Sequence, residues 1–271
     1  MLAACTRPTL PAPTELVPTL MPMPSPAPAA AAAPDSPQAS PEPSDTGWLP
    51  AGAGLALRRL RVNSPSGLAR ISIVRVDPGL LRFRVGYAPD QPALLARWHQ
   101  ASGALALING GFFDAQNRTT SLLISGGVSS GESYIGRGGM FTVDQAGAVG
   151  LRYLGEQAYD PAEPLAEALQ SWPMLVRPGG TVAYTYEDGE RARRSVIAID
   201  RSGQVLLVAV ATPSFTLREL AEWLAASDLE IDAALNLDGG SSTGLLLASD
   251  GQYEQIDAFV PLPIMLLVSR E

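Results

Sequence analysis

One cysteine, one histidine and no lysine stand among the 271 residues of this chain, and no apolar run in it is long. With Cys5 alone, an intrachain disulfide is excluded. With His99 alone, a Ser-His-Asp triad would have to use it. His99 falls beside Trp98 on an expected helix, with no nucleophile motif near it, so a surface or core role suits it better. All positive charge is arginine, and the formal net charge is −8. Binding to a phosphate backbone rests on concentrated positive charge, so nucleic acid is not an expected partner. The Arg191–Arg194 cluster is short and offset by Glu187, Asp188 and Glu190. No segment approaches the ~20 apolar residues of a spanning helix.

Aromatic residues are nearly missing from the first 47 positions, which hold 12 of the 24 prolines and many alanines. Such a stretch buries too little apolar surface to offset the entropy of ordering it. Residues 1–50 are therefore expected to be a disordered tether. Leu2-Ala3-Ala4-Cys5 resembles a bacterial lipobox, whose cysteine carries lipid, although no charged and apolar leader regions precede it. The expectation is an extracytoplasmic domain, secreted or held to a membrane only through lipid on Cys5. Residues 51–271 then form one domain, long enough for a substantial core.

Within that domain, "GLARISIVRVDP" (67–78) and "LRFRVGYAP" (81–89) alternate apolar and polar residues and read as a hairpin. A short helix is expected over 90–103, capped by Asp90 and closed near Gly103, followed by a buried strand at 104–110. Strands are expected at 121–125, 139–144 and 149–154, and a helix around 161–170. "RRSVIAIDRSG" and "QVLLVAVAT" (193–212) read as two strands around an Asp-Arg-Ser-Gly turn. "TLRELAEWLAAS" (216–227) is the strongest helix, with Thr216 and Glu219 forming a capping box. Strands at 233–237 and 259–270 complete an α+β domain with a mixed sheet and a few packing helices.

Two segments rhyme. "ALALINGGFFD" (104–114) and "AALNLDGG" (233–240) are each a short apolar strand ending in an amide or carboxylate before a glycine pair. Glycine pairs permit positive φ and leave N–H groups uncovered for an anion; they are also common tight turns. Between them, Arg194 opens an apolar strand. There it is either a solvated edge residue or a planar fork for phosphate or carboxylate.

The blocks "INGGFFD", "SWPMLVRPGG", "RRSVIAID", "FTLRELAEWL" and "LNLDGGSST" occur in the order seen in the phosphodiester glycosidase family, and the chain resembles that family over most of 70–270. The family's Arg-Thr-Ala-Ile-Gly block resembles Arg194-Ser195-Val196-Ile197-Ala198 here. Its Asp-Gly-Gly-Gly-Ser pattern resembles Asp238-Gly239-Gly240-Ser241-Ser242, with serine at the third glycine.

The resemblance implies hydrolysis of a sugar-1-phosphodiester in a glycan or envelope polymer. A phosphomonoester leaves as a stable anion, so the site should emphasise donors for phosphate and one carboxylate near the anomeric carbon. On that reading the catalytic residues are Asp238 at the sugar carbon, Arg194 on the phosphate, and Asn109 orienting hydroxyls or the carboxylate. The substrate-binding set is Gly110, Gly111, Phe113, Asp114, Ser195, Gly239, Gly240, Ser241 and Ser242. Several keep a second explanation. Asp114 suits a turn as well as a second carboxylate. At least one of Phe112 and Phe113 belongs in the core rather than on a sugar face. Ser241, Ser242 and Thr243 lack an evident base and suit phosphate or turn hydrogen bonds. A hard cation would match this oxygen-rich set, but no metal-ligand spacing is present, and neither metal nor cofactor is expected. The alternative function is a non-catalytic envelope protein of the same fold that binds phosphorylated glycans.

Overall fold

The computed structural model describes residues 43–270. The lipobox-like segment and most of the expected tether lie outside them. Described residues 43–50 run beside the first long strand, where Asp45 bridges Leu60 and the Trp48 ring lies under the guanidinium of Arg75 at 4.3 Å.

The strands in chain order begin with β1 (Leu49–Pro50), β2 (Leu55–Ser64), β3 (Gly67–Val76) and β4 (Arg82–Tyr87). Helix α1 (Leu95–Ser102) precedes β5 (Ala106–Asn109), β6 (Leu123–Ser125), β7 (Val128–Ser130), β8 (Gly139–Asp144) and β9 (Val149–Tyr153). Then come β10 (Leu165–Ser171), β11 (Met174–Arg177), β12 (Thr181–Val182), β13 (Ala192–Asp200) and β14 (Val205–Phe215). Helix α2 (Leu217–Ala226) is followed by β15 (Ile231–Asn236), β16 (Leu245–Ser249), β17 (Gln252–Ile256) and β18 (Ile264–Ser269).

They form an eight-stranded sheet, β1-β2-β3-β14-β13-β15-β11-β12, and two five-stranded sheets, β7-β6-β10-β8-β9 and β17-β16-β5-β18-β4. The α+β class stands, but the expected mixed sheet does not: every strand pair among the described residues is antiparallel. Each face of the large sheet is buried. On one face Ile197, Leu207 and Leu235 pack with Phe141 and Leu169 of the second sheet and Ile108 and Leu266 of the third. On the other, Val196, Val208 and Ala234 meet Leu220, Ala221 and Leu224 of α2. That double burial is why "VLLVAVA" in β14 is continuously apolar instead of alternating.

Helix α2 begins as expected. Thr216 Oγ1 accepts from the Glu219 N–H at 3.2 Å, and the Glu219 carboxylate accepts from the Thr216 N–H at 3.0 Å. Three other expectations need correction. β3 and β4 are not a hairpin: β3 pairs with β2 and β14, while β4 is an edge of the third sheet. The Asp77–Leu81 turn between them carries the chain from one sheet to another. α1 starts at Leu95 without a side-chain cap. Pro92 keeps the residue before it out of the helical region, and Asp90 instead meets Arg118 at 3.1 Å. Gly103 does close α1 in the left-handed region, at φ 64°. The expected helix at 161–170 is β10, held between β6 and β8. Its Leu165, Ala168 and Leu169 mimic helical spacing, but pairing on both edges decides the outcome.

Candidate active site

Strand register builds the site. Val196 on β13 lies opposite Asn236 on β15, and the Leu237 N–H donates to the Ser195 carbonyl at 2.8 Å. Continuing that register sets Arg194 opposite Asp238. In an antiparallel pair, opposite residues share a face. The row Val196, Arg194, Asn236, Asp238 therefore extends the face that α2 covers, just past the helix start, where Leu217 becomes a wall. The resulting cleft of about 370 Å³ is lined by Arg194, Asn236, Asp238, Gly239, Gly240 and Ser241, with Phe112, Trp172, Asp188, Glu190, Ala192 and Leu217 around them. Phe112 and Trp172 also border a second recess of about 360 Å³ with Tyr134 and Arg137.

Arg194 is 8% exposed. Its Nη2 donates to the Glu190 carbonyl at 2.7 Å, and its Nε is buried without a partner. Among the described residues it makes no ion pair with a carboxylate. Burial pushes its pKa down, since nothing adjacent fully compensates its charge. Asp238 is displaced in the opposite sense. Burial raises its carboxyl above the usual range, against the lowering effect of the Ser242 hydroxyl and the Gly239 N–H, the latter at 2.9 Å. Gly240 sits at φ +59° with open space where a side chain would be, and among the described residues its N–H donates to no backbone carbonyl. Only a residue tolerant of that φ turns the chain here without strain.

Asn109 is not in the cleft. It is 1% exposed, and all four of its hydrogen-bonding capacities are used. Its Nδ2 donates to the carbonyls of Asp238 at 2.7 Å and Gly110 at 3.2 Å. Its Oδ1 accepts from Ser195 Oγ at 2.7 Å and the Gly244 N–H at 3.0 Å. Asn109 and Ser195 are thus a buried clamp beneath the Asp238 turn, with nothing left to offer a sugar hydroxyl.

The other expected contacts divide. Gly239, Gly240 and Ser241 line the cleft, and Ser242 touches the Asp238 carboxylate from within. Gly110 and Gly111 form no anion nest. The Gly110 N–H donates to Ile264 at 2.9 Å, and side chains at the two positions would strike Ile264 and the Gln170 carbonyl. These glycines serve close packing. Phe113 packs into the core, and it is Phe112 that reaches the cleft. Asp114 accepts the N–H groups of Gln116 at 2.9 Å and Arg118 at 2.8 Å, as a turn residue does. His99 lies on α1 with Nδ1 2.9 Å from the Ala104 carbonyl, outside the cleft.

Sequence reasoning missed Asn236, Trp172, Asp188 and Glu190 as lining residues. The signal for Asn236 was present: it stands two residues before Asp238 on one strand, hence on the same face. Its Nδ2 holds the Trp172 carbonyl at 2.9 Å, and its Oδ1 is buried without a partner. Among the described residues, no group of three His, Cys, Asp or Glu side chains gathers to hold a metal ion.

The fold has counterparts among solved structures. The catalytic domain of zebrafish N-acetylglucosamine-1-phosphodiester alpha-N-acetylglucosaminidase, in a form auto-inhibited by its pro-peptide, superposes with TM-score 0.61 at 17% identity, over 84% of each chain. A hypothetical protein from Synechocystis gives TM-score 0.56 at 18% identity, over 80% of this chain and 62% of that one. A Burkholderia pseudomallei K96243 protein thought to be exported gives 0.52 at 12%, over 77% and 75%. No curated protein matches the chain. The family itself is shown by sequence: residues 102–268 match the phosphodiester glycosidase model, and the chain belongs to that family.

Proposed function

We propose that the cleft hydrolyses glycosyl-1-phosphodiesters of envelope or extracellular glycans, with Arg194 on the phosphate and Asp238 at the anomeric carbon. The observation that carries this reading is the buried Arg194 guanidinium, which has no carboxylate partner and lies opposite Asp238. A buried cation without a counter-charge is costly in the empty protein, and an incoming phosphate supplies that charge with paired hydrogen bonds. Gly240 borders the same cleft and has no side chain to crowd the ligand.

In the reaction, the bond between the anomeric carbon and the phosphate oxygen breaks, and the electron pair leaves with the phosphomonoester. Arg194 stabilises charge that grows on those oxygens in the transition state. Asp238 either attacks the anomeric carbon or takes the proton of the attacking water; the anomeric configuration of the released sugar separates the two. The shelf of Phe112, Trp172 and Tyr134 offers ring faces to the sugar. Asp188 and Glu190 at the rim favour neutral sugar hydroxyls over a second anion at this end. Likeness in fold to a protein thought to be exported supports an extracytoplasmic setting, and the lipobox-like Leu2-Ala3-Ala4-Cys5 supports Cys5 as a lipid anchor.

The test is release of reducing sugar from a synthetic sugar-1-phosphodiester by wild type, Arg194→Gln and Asp238→Asn chains with matched circular dichroism. Each substitution should lower kcat/KM by about a hundredfold or more, as loss of one transition-state donor does. Turnover within twofold of wild type would falsify the assignment. Tight glycan-phosphate binding with no product from wild type would establish the binding protein instead.

A further inference from the structure

A larger cleft lies on the other side of the Gly240–Ser242 turn. Its volume is about 530 Å³, and Arg59, Arg61, Arg70 and Arg193 line it against Glu254 and Asp257. Arg59 pairs with Glu254 at 2.6 Å, so the guanidinium groups of Arg70 and Arg193 are left facing one further carboxylate, that of Asp257, in a chain whose net charge is −8. Arg193 is the central group. Strand alternation turns it away from Arg194, and its Nη2 donates to the carbonyls of Thr243 at 3.1 Å and Asp257 at 2.8 Å. Its Nε and Nη1 are buried with no acceptor. Phe259, 73% exposed, stacks on this guanidinium at 4.2 Å.

The two clefts share a wall. Ser241 lines the Arg194–Asp238 cleft, and its carbonyl accepts the N–H of Phe259, which lines the basic one, at 2.7 Å. A chain leaving the first cleft over Ser241 meets the Phe259 ring and then the arginines. We propose that the basic cleft is an accessory anion subsite, which takes a second phosphate of a polymeric substrate whose scissile diester sits between Arg194 and Asp238. The identity of that substrate rests on the reading above; the anion chemistry of the basic cleft does not. Buried guanidinium donors without acceptors gain most from a multiply charged oxygen ligand, and Phe259 gives an adjoining sugar an apolar face.

The experiment has two arms. In the first, inorganic tripolyphosphate is titrated calorimetrically into the Arg194→Gln chain, which removes the cation of the neighbouring cleft. One saturable site is expected, weakened at least tenfold by adding Arg193→Gln or Arg70→Gln and weakened by salt. Arg70 lies at the rim, so its variant keeps the comparison intact if Arg193→Gln fails to fold. No saturable binding, or binding indifferent to both substitutions, overturns the proposal.

In the second arm, Arg70→Gln and Phe259→Ala are assayed on a single sugar-1-phosphodiester and on a phosphodiester-linked glycan polymer. KM for the polymer should rise at least fivefold while both constants for the single diester stay within twofold. Equal effects on the two substrates overturn the subsite. If wild type cleaves neither substrate, the catalytic reading falls, and the titration alone decides for the basic cleft.

Discussion

Replacing Asn109 with alanine separates a clamp from a catalytic group. The side chain holds four partners, and each has a definite fate when it is removed. The Gly110 carbonyl keeps the Asp238 N–H at 3.1 Å and is not stranded. Ser195 Oγ and the Gly244 N–H are buried donors that lose their acceptor, and the Asp238 carbonyl loses a 2.7 Å donor. Stranding a buried polar group costs about 1–3 kcal/mol, so three such losses imply roughly 3–5 kcal/mol once a water molecule fills part of the space. For a domain of this size about 2–4 °C accompanies each kcal/mol, so the melting temperature should fall by roughly 10 °C. Urea unfolding followed by far-UV circular dichroism, with an unchanged slope, reads the free energy directly.

Asn109→Asp refines the test. It keeps both acceptor roles but sets a buried carboxylate against the Asp238 carbonyl, which repels the ion and welcomes the acid. The folded pKa of that carboxyl should lie above its unfolded value. Stability is then greatest at low pH and is lost as pH rises through the folded pKa. If Asn109→Ala melts within about 2 °C of wild type, well under the shift for one kcal/mol, and yet loses turnover, the side chain works on substrate and the clamp is wrong.

Three further outcomes follow from the same geometry. Phe113→Ala should lose roughly 3 kcal/mol of stability by opening the core, whereas Phe112→Ala should leave urea unfolding unchanged and raise KM for a sugar diester. Asp238→Asn should lower kcat/KM by about a hundredfold or more and raise stability by about 1 kcal/mol near neutral pH, since it removes a desolvated charge. Because burial raises the folded pKa of Asp238, the wild-type carboxyl penalises folding as pH rises through that pKa, so the gain should shrink toward acid. Turnover should fall as pH drops through the same raised value, and an acid limb at the ordinary aspartate position would contradict it. Thr216→Ala should cost about 1 kcal/mol by removing the cap of α2, with kcat/KM little changed.

Much of this was legible from residue order, for reasons that differ by element. α2 carried both a capping box and an apolar stripe, so local chemistry and packing agreed. β13 and β14 were legible because their apolar runs bracket a short polar turn. Failures came where tertiary pairing chose between equal local options. The spacing of Leu165, Ala168 and Leu169 suits a helix, but two neighbouring strands claim the segment. β3 and β4 look like hairpin partners, yet the turn at Pro65–Ser66 had already joined β3 to β2, which the arginine-rich "LALRRLRVNS" concealed. Within the site, Asp238 and Arg194 were recognisable by type and position. The cleft contributions of Trp172, Asp188 and Glu190 depend on where irregular segments lie, and no spacing encodes that.

The two rhyming motifs show why similar residues took opposite roles. Each strand ends in a polar residue before two glycines, but Asn109 faces the space between sheets and Asp238 faces the cleft beside α2. An amide both donates and accepts, so it alone can satisfy two carbonyls, a hydroxyl and an N–H in a dry interior. A carboxylate accepts only, and its charge is useful where substrate can reach it. Exchanging the two would leave two carbonyls facing an anion inside and no charge outside. The Asn109→Asp/Asp238→Asn double variant should therefore be no more active than Asp238→Asn and less stable than it, although its composition is that of wild type with one amide moved from the clamp to the cleft.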